Sequence, residues 1–583
     1  MPDSHRRDGA DRRATALVLV LVLAFGAWTR WDALPRLFTN VDDIGVASTI
    51  LDARRENTTA AMRAALQGAP GVRAKALRLA DRVGLLPVAA ALAPVAEVPR
   101  VFTYAPAQFL LTAPLVSEQM PYETLVRRGR LPSFVFGVLG VLLIALLARA
   151  LGGADAGARM LVAGALAACS WEFWIYSAQM ETYAIGVAGS AAMLWMVAGR
   201  ANAGARDVTA LEALALAAMP WLQYQFLFFL PGYAMARAWQ AYGAERDARR
   251  AVVSLATLTL PATFSTALLY HFFLGFHASA DAGINWNAGP QGEFLFRLPG
   301  GGAVAALTYA AHFFVTNTLR SAHAMVSFLP EQHPAQGALT VALGAFGVLG
   351  LWTIARERTP AARAVSSFVA VTALVWLALI VRDKITLSPT RHSLVLLPVI
   401  ALAVAAGVAR LGALAGRRLV VASLATALCI AGFAASYAGE RDARRDPWSE
   451  ASFAALLAET HPDLVVAHDC LWNLRLMQHV GAPAFDAGCI TGPHARWVGE
   501  APSATPARVL FINGSLPLSE ERFDSLRALL DRTPKGIGSL GPWGSYTKRQ
   551  VVADTGRREV EFSARTHPGR NALYATLLTL DPR

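Results

Sequence analysis

Apolar runs of about 20 residues, separated by short loops that carry arginines, recur along most of this chain and constrain its fold more than any other feature. A helix of that length crosses roughly 30 Å of hydrocarbon. With 55% hydrophobic and only 16% charged residues among 583, no single water-soluble core can hide the apolar surface, so lipid must cover the excess. The first run, 14–34, follows Arg6, Arg7, Arg12 and Arg13. It is longer than the roughly 7 to 15 apolar residues of a signal peptide, and no small-residue cleavage site follows it. It therefore reads as an uncleaved first helix.

The arginines set the topology. The runs 14–34, 131–150, 158–176, 181–199, 208–220, 222–238, 251–275, 337–355, 364–381, 392–409 and 419–437 alternate so that Arg149, Arg159, Arg200, Arg206, Arg246, Arg249, Arg356, Arg358, Arg410 and Arg417 fall on one side. Positive residues stay on the cytoplasmic side. The pattern predicts an α-helical polytopic membrane protein of about eleven transmembrane helices. Residues 1–13 would form a cytoplasmic N-terminus, 14–437 the transmembrane domain, and 35–130 a long external loop. For the signs to hold, 276–336 must cross an even number of times, which makes Val304 to Leu319 a surface or re-entrant helix. The net charge of +12 is thus a loop property and not a nucleic-acid footprint.

From about 438 to 583 the charge density rises, and short β-like runs (Leu464 to Ala467, Arg508 to Ile512, Glu559 to Phe562) alternate with helical patterns (Ser452 to Glu459, Glu520 to Leu530). This predicts a small extracytoplasmic α/β domain. Cys169 and Cys429 lie in apolar runs and read as packing residues. Cys470 and Cys489 lie in the polar C-terminal part and are the pair able to form a disulfide if that part is outside the cytoplasm.

Four external places carry candidate chemistry. Just beyond the first run stands Phe38-Thr39-Asn40-Val41-Asp42-Asp43. Adjacent carboxylates repel, so one is suited to act as a general base while its neighbour orients an acceptor or a metal; the plainer reading is that Asp42 caps a helix over Gly45 to Ala65. Farther on, Tyr104-Ala105-Pro106 opens an apolar stretch too short to span, followed by Glu123 and by Arg127, Arg128 and Arg130 leading into Leu131-Pro132-Ser133. Arginines at an outer helix end suit phosphate oxygens, or merely snorkel. The turn Trp174 to Tyr183 holds Glu181, with Trp174, Tyr176 and Tyr183 readable as an interfacial aromatic belt. Glu172 and Glu212 fall within or near apolar runs, as functional groups or as helix-end residues. The late turn Arg382 to His392 gathers Arg382, Lys384, Arg391 and His392, a clamp for an anionic leaving group or a solvated turn.

In these four places, in this order, the chain resembles the GT-C superfamily of polyprenyl-phosphate-sugar glycosyltransferases, in the branch around protein O-mannosyltransferases and aminoarabinose transferases. The resembling elements are the pair Asp42-Asp43, Tyr104-Ala105-Pro106 with Arg130-Leu131-Pro132-Ser133, the Tyr176-Ser177 to Tyr183 hairpin, and Arg391-His392 with Pro398. The chain departs from many relatives at Ala105, where they carry proline, at Ala178, where they carry arginine, and at His392, where they carry tyrosine. The resemblance implies a GT-C-like bundle in a bacterial-type inner membrane that transfers a sugar, with inversion, from a polyprenyl-phosphate donor to an acceptor at the outer face. Asp42 and Asp43 would be catalytic, optionally holding Mg²⁺ or Mn²⁺. Tyr104, Glu123, Arg130, Glu181, Tyr183, Lys384, Arg391 and His392 would bind substrate or phosphate. The alternative from another class is a transporter or lipid flippase, which predicts broken helices and charges in mid-membrane.

Overall fold

The computed structural model describes residues 2–35; 46–92 apart from 48, 52, 55, 56 and 68; 105–274 apart from 118, 206 and 246; 295–298; and 302–443 apart from 331, 332, 383 and 388–390. Toward the C-terminus it describes 450–467, 484–486, 496–498, 506–514, 520, 523–525, 528, 546–559 and 569–580. The chain divides into two compact units: Met1–Ala33, Tyr104–Gln108 and Pro132–Glu440 in the first, and Leu34–Thr103, Phe109–Leu131 and Arg441–Arg583 in the second.

The first unit is a helical bundle. Among the described residues eight helices are long and apolar enough to cross a membrane: Thr15–Ala33, Glu123–Leu151, Tyr183–Asn202, Ala248–Leu274, Gln336–Arg356, Pro360–Val381, Arg391–Leu414 and Arg418–Arg441. The chain is a multi-pass membrane protein. The three remaining predicted runs are helical but shorter or interrupted. Run 158–176 is two helices, Ala156–Cys169 and Trp171–Tyr176, because the Ser170 side chain accepts from the Phe173 amide and starts a new N-terminus. Run 208–220 is Ala210–Leu222, and run 222–238 begins with a 3₁₀ turn, Tyr224–Phe228, before the helix Leu230–Glu245.

Two helices sit at the centre: Tyr183–Asn202 and Arg391–Leu414 each have 72% of their apolar window buried, whereas Gln336–Arg356 has 17%. Small residues let the backbones close up. A Cβ on Gly350 would run into the Ala403 carbonyl, and one on Gly407 into the Phe346 carbonyl, so Gln336–Arg356 and Leu397–Leu414 cross at glycine. Ala303–Val326 is a 24-residue helix, longer than the predicted Val304 to Leu319. It buries Phe313, Asn317, Ser321 and Met325 and packs on Gln336–Arg356 and Leu397–Leu414.

One end of the bundle is tied by ion pairs. Buried Arg159 meets Glu357, and Arg418 meets Asp155 at 3.0 Å. Glu212, in the first turn of its helix, takes Arg237 at 2.6 Å, Arg200 at 3.0 Å and the Tyr233 hydroxyl at 2.8 Å. It is a helix-end residue inside a closed network. Arg30, fully buried, donates to the Ala167 and Ala168 carbonyls at the end of Ala156–Cys169, which the break at Ser170 leaves without helical partners. Cys169 and Cys429 are buried free thiols, as expected of packing residues.

In the second unit, Thr58 caps Thr59–Leu66, so the helix foreseen over Gly45 to Ala65 is interrupted there. Val72–Arg82 follows, and Arg63 joins the two helices by pairing with Asp81 at 2.6 Å, a hydrogen bond that lowers the Asp81 carboxyl pKa. The C-terminal part is a six-stranded mixed sheet of β1 (Leu464–Ala467), β2 (Ala484–Asp486), β3 (Arg496–Val498), β4 (Arg508–Gly514), β5 (Tyr546–Glu559) and β6 (Gly569–Leu580), in the order β3-β2-β1-β4-β6-β5. β1 runs parallel to β2 and β4, and the other pairings are antiparallel. Leu464, Val465, Val466, Val509, Leu510 and Phe511 are fully buried. Such unbroken apolar runs are what parallel strands covered on both faces require.

Candidate functional site

Between Trp171–Tyr176 and Tyr183–Asn202 the chain leaves the helical path for six residues, Ser177 to Thr182, and every one of them is buried. Irregular backbone inside a membrane bundle survives only where other protein groups satisfy it or where it lines a cavity. The partners come from three directions. The Ser133 hydroxyl donates to the Glu181 carbonyl at 3.1 Å, Gln223 donates to the Thr182 hydroxyl at 3.0 Å, and the Ser177 hydroxyl turns back onto the Phe173 carbonyl.

This turn delivers Glu181, with no exposed surface, to Arg391 at 3.4 Å. The two lie 210 residues apart in sequence. The Arg391 side chain keeps 27% of its surface exposed, so an anion can reach it while Glu181 holds it in place. Its guanidinium also sits 5.6 Å from the Tyr183 ring centre. The Tyr183 hydroxyl lies 3.4 Å from His392 Nδ1, and the Tyr176 and Tyr183 rings meet edge to face at 5.3 Å. Gln225 donates to the His392 carbonyl at 2.7 Å and thereby fixes the 3₁₀ turn Arg391–Leu396 that carries Arg391 and His392. The result is a buried acid, a partly exposed arginine, an imidazole and two phenols grouped together.

Four predicted residues therefore meet: Glu181, Tyr183, Arg391 and His392. Lys384 is exposed at the preceding turn. In the second unit, Arg130 is fully buried and donates to the Leu34 carbonyl at 2.7 Å, while Glu123 is exposed in the first turn of Tyr122–Gly129, where its charge suits the helix N-terminus. Asp42, Asp43, Tyr104, Cys470 and Cys489 lie outside the described residues. The aromatic-belt reading is corrected: Trp174 and Tyr176 are buried in the bundle at 0% and 2% exposure, Trp174 donates to the Thr29 carbonyl at 3.1 Å, and it packs with Trp171, Phe433 and Tyr437. Ser133, Thr182, Gln223 and Gln225 complete the cluster. Ser133 and Thr182 lie inside the resembling motifs, whereas the one sequence signal of Gln223 and Gln225 is a pair of glutamines two apart between apolar runs. Among the described residues no group of three or more His, Cys, Asp or Glu is placed to hold a metal ion.

No family model matches the chain, and no curated protein matches it in sequence. Among solved structures it is similar to the crystal structure of ArnT from Cupriavidus metallidurans in the apo state, at 12% identity and a TM-score of 0.47, over 97% of this chain and 98% of that one.

Proposed function

We propose that the protein is a membrane glycosyltransferase that moves a sugar from a polyprenyl-phosphate donor to an acceptor at the outer face. The observation that carries this reading is the buried turn Ser177 to Thr182, which holds Glu181 against a partly exposed Arg391 beside Tyr183 and His392. A preorganised cation in a site from which water is largely excluded is suited to a leaving phosphate. In the proposed step the acceptor hydroxyl loses its proton to Asp42, and its oxygen bonds the anomeric carbon. The bond from that carbon to the phosphate oxygen breaks, and the lipid phosphate leaves with the electron pair toward Arg391. Asp43 orients the acceptor. Arg130 and Lys384 are further candidates for the phosphate, and a divalent ion on Asp42-Asp43 is the optional addition.

The test is to incubate the purified protein with a panel of polyprenyl-phosphate sugars and score released lipid phosphate. Asp42→Asn should abolish turnover, since a general base contributes about 10² to 10⁴ in rate; full activity in a well-folded variant would sink the assignment. Chelation should arrest the reaction only if the carboxylate pair works through a metal.

A transporter or flippase is the second reading, favoured by the helix interruptions at Ser170, at Ser177 to Thr182 and at Gln223. It predicts movement of a lipid-linked sugar between leaflets with the sugar-phosphate bond intact, so the same panel separates the two.

A further inference from the structure

At the end of the bundle that carries the ion pairs, arginines are matched with acids: Arg159 with Glu357, Arg418 with Asp155, and Arg200 and Arg237 with Glu212. Among the described residues Arg149, like Arg417, has no acid partner. It ends the helix Leu131–Leu151, is exposed, and among the described residues its side chain makes no hydrogen bond or ion pair. It lines an open cavity of about 470 Å³ together with Leu146, Gly153, Trp195, Asn202 and Thr359. That volume is within the roughly 300 to 1,000 Å³ of small-molecule sites.

The wall is divided. Asn202 donates one amide hydrogen to the Ala150 carbonyl at 2.9 Å and keeps the other. The Thr359 oxygen accepts from the Ala362 amide at 3.2 Å, and its hydroxyl hydrogen remains to donate. Gly153 adopts φ +48° with open space where a side chain would stand, so nothing from it fills the cavity. On the other side are Leu146 and Trp195, the latter 41% exposed on a membrane-crossing helix. An indole is at home where headgroups meet acyl chains.

We infer that this cavity is a binding site for an anionic phospholipid of the adjacent leaflet, its phosphate on Arg149, Asn202 and Thr359 and its first methylenes on Leu146 and Trp195. The choice of a lipid over a free anion follows from the apolar half of the wall, which offers nothing to inorganic phosphate. Basic pockets between helices at a membrane surface recognise anionic headgroups in this way, each cation contributing enough to change affinity about fivefold.

The experiment is native mass spectrometry of the full-length, delipidated protein titrated with phosphatidylglycerol or phosphatidylcholine. Wild type should retain phosphatidylglycerol preferentially. Arg149→Gln should lower its occupancy about fivefold and that of phosphatidylcholine, whose choline cation already offsets its phosphate, by less, and Arg149→Lys should recover part of the loss. Arg417→Gln, which removes the same charge at the same end but outside the cavity, should leave occupancy at the wild-type level. Trp195→Leu should weaken both lipids alike. Unchanged selectivity in Arg149→Gln, or an equal loss in Arg417→Gln, would overturn the site and leave Arg149 an ordinary snorkelling residue. Displacement of the lipid by equimolar inorganic phosphate would overturn the lipid assignment. Because Arg149 is exposed and has no partner to lose among the described residues, the variant should fold; a size-exclusion profile matching wild type verifies that.

Discussion

Glu181 and Arg391 do different work in one pair. Glu181 has no exposed surface and is paired with an Arg391 side chain that keeps 27% of its surface exposed. Arg391→Lys would keep the charge but lose the planar fork, and the two cations are not equivalent at such a site. Turnover in the polyprenyl-phosphate assay should fall about 10² to 10³ in Arg391→Lys and in Glu181→Gln, the cost of removing one preorganised stabilising group, with membrane expression retained. A loss below tenfold in both would remove the pair from the mechanism. The sequence exposed these residues because charge stands out in apolar surroundings, but it could not say that Arg391 would find Glu181 rather than any other acid. That pairing depends on the turn Ser177 to Thr182, and the polar groups that hold the turn, Ser133 and Gln223, look ordinary when read singly.

Helices were the most readable elements, because hydropathy reports length. It is blind to interruption: the run 158–176 stays apolar across Ser170, where a hydroxyl begins a second helix, and Pro220 to Gln223 gave no sign of a 3₁₀ turn. Pairing between helix ends was equally hidden. Glu212, at the start of its helix, joins Arg200 near the end of Tyr183–Asn202 to Tyr233 and Arg237 of Leu230–Glu245, and both Glu212 and Arg237 are buried. Arg237→Met leaves a buried carboxylate short of its principal partner and should cost about 3 to 5 kcal/mol. The exposed pair Arg63–Asp81 offers the comparison: Arg63→Ala should cost far less, because solvent screens an exposed pair. Unfolding followed in detergent for the two variants reads the difference, and equal losses would contradict the network's role.

Across the whole molecule, the ion-paired end of the bundle and the end bearing Glu181 and Arg391 are opposite termini of the same helices, since Tyr183–Asn202 begins beside one and finishes beside the other. We propose that the arginine-rich end is cytoplasmic and the Glu181 end external, with the C-terminal sheet external too. Single cysteines introduced at Arg358 and at Asp463 in a cysteine-free background should then react with a membrane-impermeant maleimide from opposite sides of sealed vesicles. Labelling of both from the same side would refute this orientation. Hydropathy was enough to foresee a helical bundle; the order of the strands was not legible, because the sheet joins β1 to β4 across 40 intervening positions and, of the runs read as strands, only those of β1 and β4 match, Glu559 to Phe562 sharing just Glu559 with β5.

The six-residue turn from Ser177 to Thr182 also sets the angular phase of everything after it. A helix advances about 100° for each residue. One residue inserted in this turn would leave the Tyr183 helix its length and apolarity while rotating its inner face by about a quarter of a circle, carrying Tyr183 away from His392 and exchanging core positions for lipid-facing ones. Surface loops in general tolerate lengthening. This one acts as a fixed gear between two helices, so the spacing from Tyr176 to Tyr183 is constrained as tightly as the residues themselves.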